Sequence, residues 1–208
     1  MIQEQQTKLV SDDQERISIV HKRKQDLVVL RYMVLQVRLL LQAAEHPASL
    51  LFPQISYRTE RQHRLHRICM YQPSCLLQNR DLACVGFVSG RQSTTDPVVA
   101  ARLHAADQNL LTELVSVPGL LSYSSLEVRP GRWYNLVIFH DRAATSHVHT
   151  MDSHRYAAYE LAPQYYAWIR LHHGSLPEGL AGGTLLLFST KQYTFPGHGQ
   201  RPLVQTLQ

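Results

Sequence analysis

The chain has 208 residues, 44% of them apolar, and a formal net charge of +5; this suits one domain of ordinary size plus an extension and excludes wholesale disorder. No apolar run approaches the roughly 18 residues that a bilayer-spanning helix needs, and the longest, residues 27–41, is broken by Arg31 and Arg38. Three cysteines, Cys69, Cys75 and Cys84, contain no CxxC pair, which excludes a disulfide scaffold and a cysteine-based zinc site.

The basic excess belongs to the first third. Residues 1–69 hold eleven Lys and Arg against seven Asp and Glu, and the remainder holds ten against nine. No helix-turn-helix, zinc-finger or RNP pattern accompanies that charge, and "RTERQHRLHR" (58–67) lacks interleaved aromatics. A solvated helix face and linker are therefore expected rather than a nucleic-acid partner. The N-terminal stretch is polar and acidic, unlike a signal peptide, so a soluble, cytoplasmic protein with no membrane partner is expected.

In chain order, residues 14–44 read as one long helix. Ile17, Val20, Lys24, Leu27, Leu30, Val34, Val37 and Leu41 recur at steps of three and four and define its buried side. Residues 46–80, punctuated by Pro47, Pro53 and Pro73, read as irregular, with the polar, basic residues 58–67 exposed. A strand follows at 82–89. Asp96 and Pro97 open a helix whose stripe is Val99, Leu103, Ala106, Leu110, Leu114 and Val117, closed by Pro118 and Gly119. "LLSYSSLEV" and "RWYNLVIFH" flank Pro130-Gly131 as a hairpin. A second helix is expected over roughly 152–173, interrupted at Pro163, then a strand at 183–193.

The expected fold is α+β. Residues 1–80 form a helical N-terminal extension and linker, residues 81–195 a ferredoxin-like β-α-β-β-α-β antiparallel sheet, and residues 196–208 a flexible tail. Strand alternation sends Trp133, Asn135, Val137 and Phe139 to one face of the sheet and Tyr134, Leu136, Ile138 and His140 to the other. Both faces are largely apolar, while two helices cover only one. A second sheet or the N-terminal helix must cover the other.

This arrangement, over roughly 81–195, resembles the dimeric α/β-barrel superfamily, in particular its antibiotic-biosynthesis-monooxygenase-like branch. The resemblance implies a homodimer with two sheets face to face and a pocket between each sheet and its own helices. It also implies chemistry such as cofactor-independent oxygenation of quinol-like aromatics, polyketide cyclisation, lactone isomerisation or haem chemistry.

The candidate site lies around residues 140–154, between the hairpin and the second helix. Three readings stay open there. His140 or His154, oriented by Asp141, suits proton transfer. His147 and His149, with His154 or Asp152, have the spacing of metal ligands if the segment is extended. All are otherwise plain loop histidines. Tyr134, Tyr165, Trp168 and His172 are expected to shape an apolar pocket for an aromatic small molecule. No cofactor is required by this reading; a haem would take His154, His172 or His173 as axial ligand, and a divalent metal the loop histidines. The expected function is that of a small oxygenase, cyclase or isomerase with histidine-assisted proton transfer. The alternatives are a non-catalytic dimeric binding module and a haem- or metal-binding protein.

Overall fold

The computed structural model describes residues 2–43, 53–196 and 200–208; the expected helix end at residue 44 and the breaker Pro47 lie outside them. The fold is α+β. Eight strands form one antiparallel sheet: β1 (Gln54–Glu60), β2 (Arg64–Met70), β3 (Leu82–Arg91), β4 (Leu120–Arg129), β5 (Arg132–Phe139), β6 (Tyr166–Leu176), β7 (Leu186–Thr194) and β8 (Leu203–Leu207). Their order is β1-β2-β4-β5-β3-β6-β7-β8. The helices are α1 (Ile2–Ala43), α2 (Pro73–Gln78), α3 (Pro97–Leu114), α4 (Thr145–Val148), α5 (Asp152–Arg155), α6 (Ala162–Tyr165) and α7 (Gly179–Gly182). A π-helical turn, Tyr156–Leu161, joins α5 to α6.

Local chemistry explains the central elements. Asp96 caps α3 by accepting the Val98 N–H at 2.8 Å, with Pro97 at the first helical position, where its missing N–H costs nothing. At the β4–β5 corner Gly131 takes φ 75° after Pro130, the left-handed geometry that a Pro-Gly turn requires.

Three expectations fail. Residues 54–70 are no exposed linker: they form β1 and β2, joined by a tight 3-10 turn in which Gln62 and His63 adopt positive φ. Their polarity reflects an edge hairpin with one side toward solvent. Residues 166–173 are strand, not helix. Tyr166–Leu176 lies between β3 and β7, so two ladders of backbone hydrogen bonds override a helical spacing that any ring-rich stretch satisfies by chance. The 196–208 tail holds β8, paired with β7.

α1 decides how the sheet is buried. It runs for 42 residues, about 63 Å at the usual rise, across the face opposite α3. Leu30, Met33, Val34, Val37 and Leu41 pack on Ile68, Met70, Cys84, Val88, Leu126, Leu136 and Ile138. Gly86 permits the approach, because a Cβ there would stand 2.7 Å from Leu30 Cδ1. Arg31 and Arg38 donate to the backbone oxygens of Leu185 and Ala181 at 3.4 and 3.2 Å, and Arg23 donates to that of Leu187. Tyr32 donates to Glu60 at 2.5 Å, and Glu60 also holds the buried His66 at 3.1 Å. The face expected to meet a second sheet is thus occupied by the chain's own helix, and a sheet-to-sheet homodimer would require α1 to leave.

Leu30, Val34, Val37 and Leu41 of the expected stripe are buried, but the part of the helix before them departs from it. Ile17 and Val20 are 64% and 37% exposed, Lys24 is exposed, and Ile19 and Asp26 point inward at 5% and 0%. Asp26 faces inward because of its partners. Its carboxylate accepts from Arg170 Nε at 2.6 Å and Nη2 at 3.1 Å, from Tyr134 Oη at 2.7 Å, and meets His172 Nε2 at 3.1 Å. His172 Nδ1 lies 2.9 Å from Thr190 Oγ1. Trp168 lies against the Arg170 guanidinium, 4.2 Å from ring centroid to Cζ. Burial alone would raise the Asp26 carboxyl; the hydrogen bonds from His172, Arg170 and Tyr134 outweigh it and hold the group well below its ordinary 3.8.

Asp26→Asn should therefore destabilise the protein by about 3–5 kcal/mol, because Arg170 would stay buried without its counter-charge; urea unfolding at pH 7 measures this. The sign with pH follows from the depressed folded value. The carboxylate's contribution is complete above the ordinary range near 3.8 and is lost only as pH falls through the lower folded value.

Candidate functional site

The other face of the sheet lies beneath α3 and the 152–165 segment. Antiparallel registers line its side chains into rows. One row runs Tyr123, Val137, Val85, His173, Ser189; the next runs Ser125, Asn135, Phe87, Leu171, Lys191. At the outer end, Leu111, Leu114 and Val117 pack tightly with Tyr123, Leu120 and Phe139. The middle is different. Val85, Phe87, Trp133, Asn135, Val137, Leu171 and His173 are all only half-buried, although they lie on central strands under a helical layer.

The helices account for this. α3 and the 152–165 segment pack mainly on each other: Ser153 Oγ donates to Glu113 Oε2 at 2.6 Å, and Arg102 Nε to Tyr156 Oη at 2.9 Å. A shallow groove of ≈ 220 Å³ runs between them, lined by Arg102, Ala105, Ala106, Asn109, Ser153 and Tyr156. Below it, the half-buried middle of the sheet is the candidate hollow, with Tyr166 beside it. Burial pushes the Tyr166 hydroxyl far above the ordinary tyrosine value, and its ring lies 5.7 Å from that of Phe87. Asn135 Oδ1 on β5 and His154 Nδ1 on α5 are among twelve buried side-chain atoms without a hydrogen-bond partner in the described residues. Such atoms cost free energy unless water or a ligand meets them. The π turn Tyr156–Leu161 lies in the helical layer above, and π turns inside helices recur at functional sites.

The rim of the hollow is the segment after β5. Asp141 Oδ1 accepts the Ala144 N–H at 3.0 Å and Asp141 Oδ2 lies 3.2 Å from His140 Nδ1. The Ala144 N–H, then the His140 bond, keeps this exposed carboxyl below its usual range. Arg142 stacks on the Phe188 ring with Cζ 5.1 Å from the centroid. His149 and His154 meet edge to face at 5.5 Å. Burial, then the neighbouring His149, holds His154 below the ordinary histidine value. Burial, then Lys191, Arg142, His149 and His172, does the same for His173. Both imidazoles are therefore neutral at pH 7, with a ring nitrogen able to accept a proton.

The expected site residues divide between the two faces. Tyr134, Trp168 and His172 do come together, but under α1 around Asp26, where Tyr134 is 2%, His172 0% and Arg170 3% exposed. That cluster is closed and internally bonded; it locks a helix and offers no surface to a ligand. His172 has both ring nitrogens engaged, so it is not placed to be a haem ligand. Tyr165 lies apart, edge to face with Tyr166 at 4.8 Å. His140 and Asp141 form the expected pair, exposed at the rim. His154 lies on α5 against His149; His147 and His149 are exposed on and beside the short helix α4. Among the described residues no three His, Cys, Asp or Glu converge on a metal position, and the helical turn of residues 145–148 removes the extended geometry that a His-x-His pair needs. Asn135, Lys191 and Arg142 escaped the sequence reading as site residues, and His173 entered it only as a possible haem ligand. Strand alternation over 166–176 would have placed His173 with Val85 and Val137.

Compared with known proteins, the chain matches no family model, no curated protein and no solved structure. Among the described residues no helix is long and apolar enough to cross a membrane.

The two depressed histidines give a test. Both should take up protons only below 6.5, as followed by their ring signals in an NMR titration. Because the unfolded chain binds those protons first, stability should be complete above pH 6.5 and fall as pH drops from there toward the folded values. His154→Phe with His173→Phe should flatten that slope in urea midpoints.

Proposed function

We propose that the chain is a small-molecule enzyme of the oxygenase, cyclase or isomerase type, which takes an apolar aromatic substrate into the hollow beneath α3 and the 152–165 segment. The observation that carries this reading is the half-buried middle of the sheet, Val85, Phe87, Trp133, Asn135, Val137, Leu171 and His173, under a helical roof. Apolar walls with a few convergent polar groups are what a site for a flat ring system consists of. The strand order β4-β5-β3-β6, with crossovers through α3 and the 152–165 segment, supports a ferredoxin-like unit at the heart of the sheet. On this reading, β1, β2, β7 and β8 widen that unit on both sides.

His173 and His154 are the groups that move protons. A neutral imidazole beside a bound phenol accepts its proton, and the imidazolium so formed returns it at carbon or to oxygen. Asn135 holds a substrate donor group through its free Oδ1, while Trp133 and Phe87 stack on the ring.

The test uses 2-naphthol, a neutral ring phenol. Isothermal titration calorimetry at pH 7 should give saturable one-to-one binding to the full chain. Val85→Phe, which fills the floor, should weaken binding by on the order of tenfold, equivalent to about 1.4 kcal/mol, with an unchanged far-UV spectrum. Absence of saturable binding, or indifference to Val85→Phe, rejects the site. For any ring phenol that is turned over, His173→Gln should lower kcat by on the order of 10²-fold, the usual worth of a general base. Binding without turnover of any such phenol would instead identify a binding module.

A further inference from the structure

The two margins of the sheet differ in how they are guarded. The strand order ends in β1 on one side and in β8 on the other. An edge strand turns a row of backbone N–H and C=O groups outward, where another strand can pair with them. β1 carries Arg58 and Glu60, and Glu60 is tied to Tyr32 and His66; charges on an edge discourage such pairing. β8, Leu203-Val204-Gln205-Thr206-Leu207, carries no charge. It pairs with β7 over its whole length without a bulge, and Pro202 stands before it rather than in it. Among the described residues no strand lies beyond it. Leu203 and Val204 are 64% and 53% exposed, and Thr206 is exposed as well.

β8 also reads nearly the same from either end. Leucine stands at both ends, Val204 and Thr206, alike in shape, are second and fourth, and Gln205 is the centre. A two-fold axis at position 205 sets an antiparallel copy with Leu203 opposite Leu207 of the partner subunit. The same axis sets Val204 opposite Thr206 of the partner subunit. No charge and no mismatch in size arises, and this self-complementarity is what an isologous interface requires. Register with β7 sorts these pairs by face. Leu203 and Leu207 stand beside Thr194 and Thr190, and Val204 and Thr206 beside Tyr193 and Lys191. Each face of the joined sheets thus gains its own cross-strand pairs. The same operation on β1, centred on Tyr57, sets Arg58 against Ser56 and Glu60 against Gln54 and leaves both charges unmatched across the axis.

From this edge we infer that the chain pairs with a second copy of itself through β8, the two sheets joining edge to edge into one continuous antiparallel sheet. Edge pairing leaves α1 in place on the face it covers, as face-to-face packing does not. A ladder of five residues is a small interface, so the dimer is of the weak, concentration-dependent kind. This inference stands apart from the reading of the hollow.

Sedimentation equilibrium of the full chain is the test. The mean mass should rise from 23.8 kDa toward twice that value between about 1 and 100 µM, the range of a small interface. Val204→Glu with Thr206→Glu sets carboxylates opposite each other across the axis and should weaken association by on the order of tenfold or more. Inside the chain the change at 206 faces Lys191, so the pairing of β8 with β7 is spared. Val204→Lys with Thr206→Glu differs only in the sign at 204. It sets opposite charges across the axis and should restore the dimer, now sensitive to salt. Tyr57→Lys, on the other margin, should leave association unchanged. The inference is overturned by a monomer at about 100 µM, by assemblies that grow beyond a dimer, or by a dimer that Tyr57→Lys breaks. It is overturned equally if the Glu–Glu variant still pairs, or if the Lys–Glu variant stays as monomeric as the Glu–Glu one.

Discussion

Everything in this fold depends on a buried carboxylate. Asp26 sits on α1 with no exposed surface and binds side chains from β5 and β6 at once. A charge in that position, taken out of water, is tolerable only when its hydrogen bonds are made. Arg170, Tyr134 and His172 make them, and Thr190 engages the far side of the His172 ring. The helix is therefore held in one rotation and one register. A purely apolar stripe, by contrast, tolerates sliding by a turn, because apolar contact has no direction.

That lock gives the two faces of the sheet different characters. Under α1 the packing is dry and continuous, with Leu30 lying on Gly86 and Trp168 above Gly90. Under α3 and the 152–165 segment the helices pair with each other and leave the centre of the sheet partly open. A site needs that division of labour. One face supplies stability through a tightly filled core, which leaves the other free to stay partly open. The long helix also occupies the surface through which an apolar sheet would otherwise recruit a second copy, so the demand for cover is met within the chain.

Much of the site was legible in the wrong place. The residues chosen for an apolar pocket, Tyr134, Trp168 and His172, do meet in space. They meet because tyrosine, tryptophan and histidine combine apolar bodies with polar tips, which suits a buried network as well as a binding pocket. The deciding residue was Asp26, and a lone acid in an apolar helix reads as solvent-facing unless its partners are known. The rim was read more closely: His140 with Asp141 and the approach of His149 to His154 follow from short sequence separations. His173, named only as a possible haem ligand, was not grouped with Val85 and Val137, because β6 was taken for helix and its period of 2 was missed.

The sequence by itself determined the elements whose signals are local. These are α1 from its length and apolar content, α3 from Asp96-Pro97, the β4–β5 hairpin from Pro130-Gly131, and a sheet apolar on both faces that had to be covered twice. Tertiary structure alone decided the rest: that 54–70, 166–176 and 203–207 are strands, that α1 turns Asp26 inward, and that a hollow remains beneath α3. The physical reason is range. Caps and turns are settled within a few residues by backbone hydrogen bonds and sterics. Edge strands, buried ion pairs and cavities exist only through partners far along the chain, as Asp26 does through Arg170 and His172.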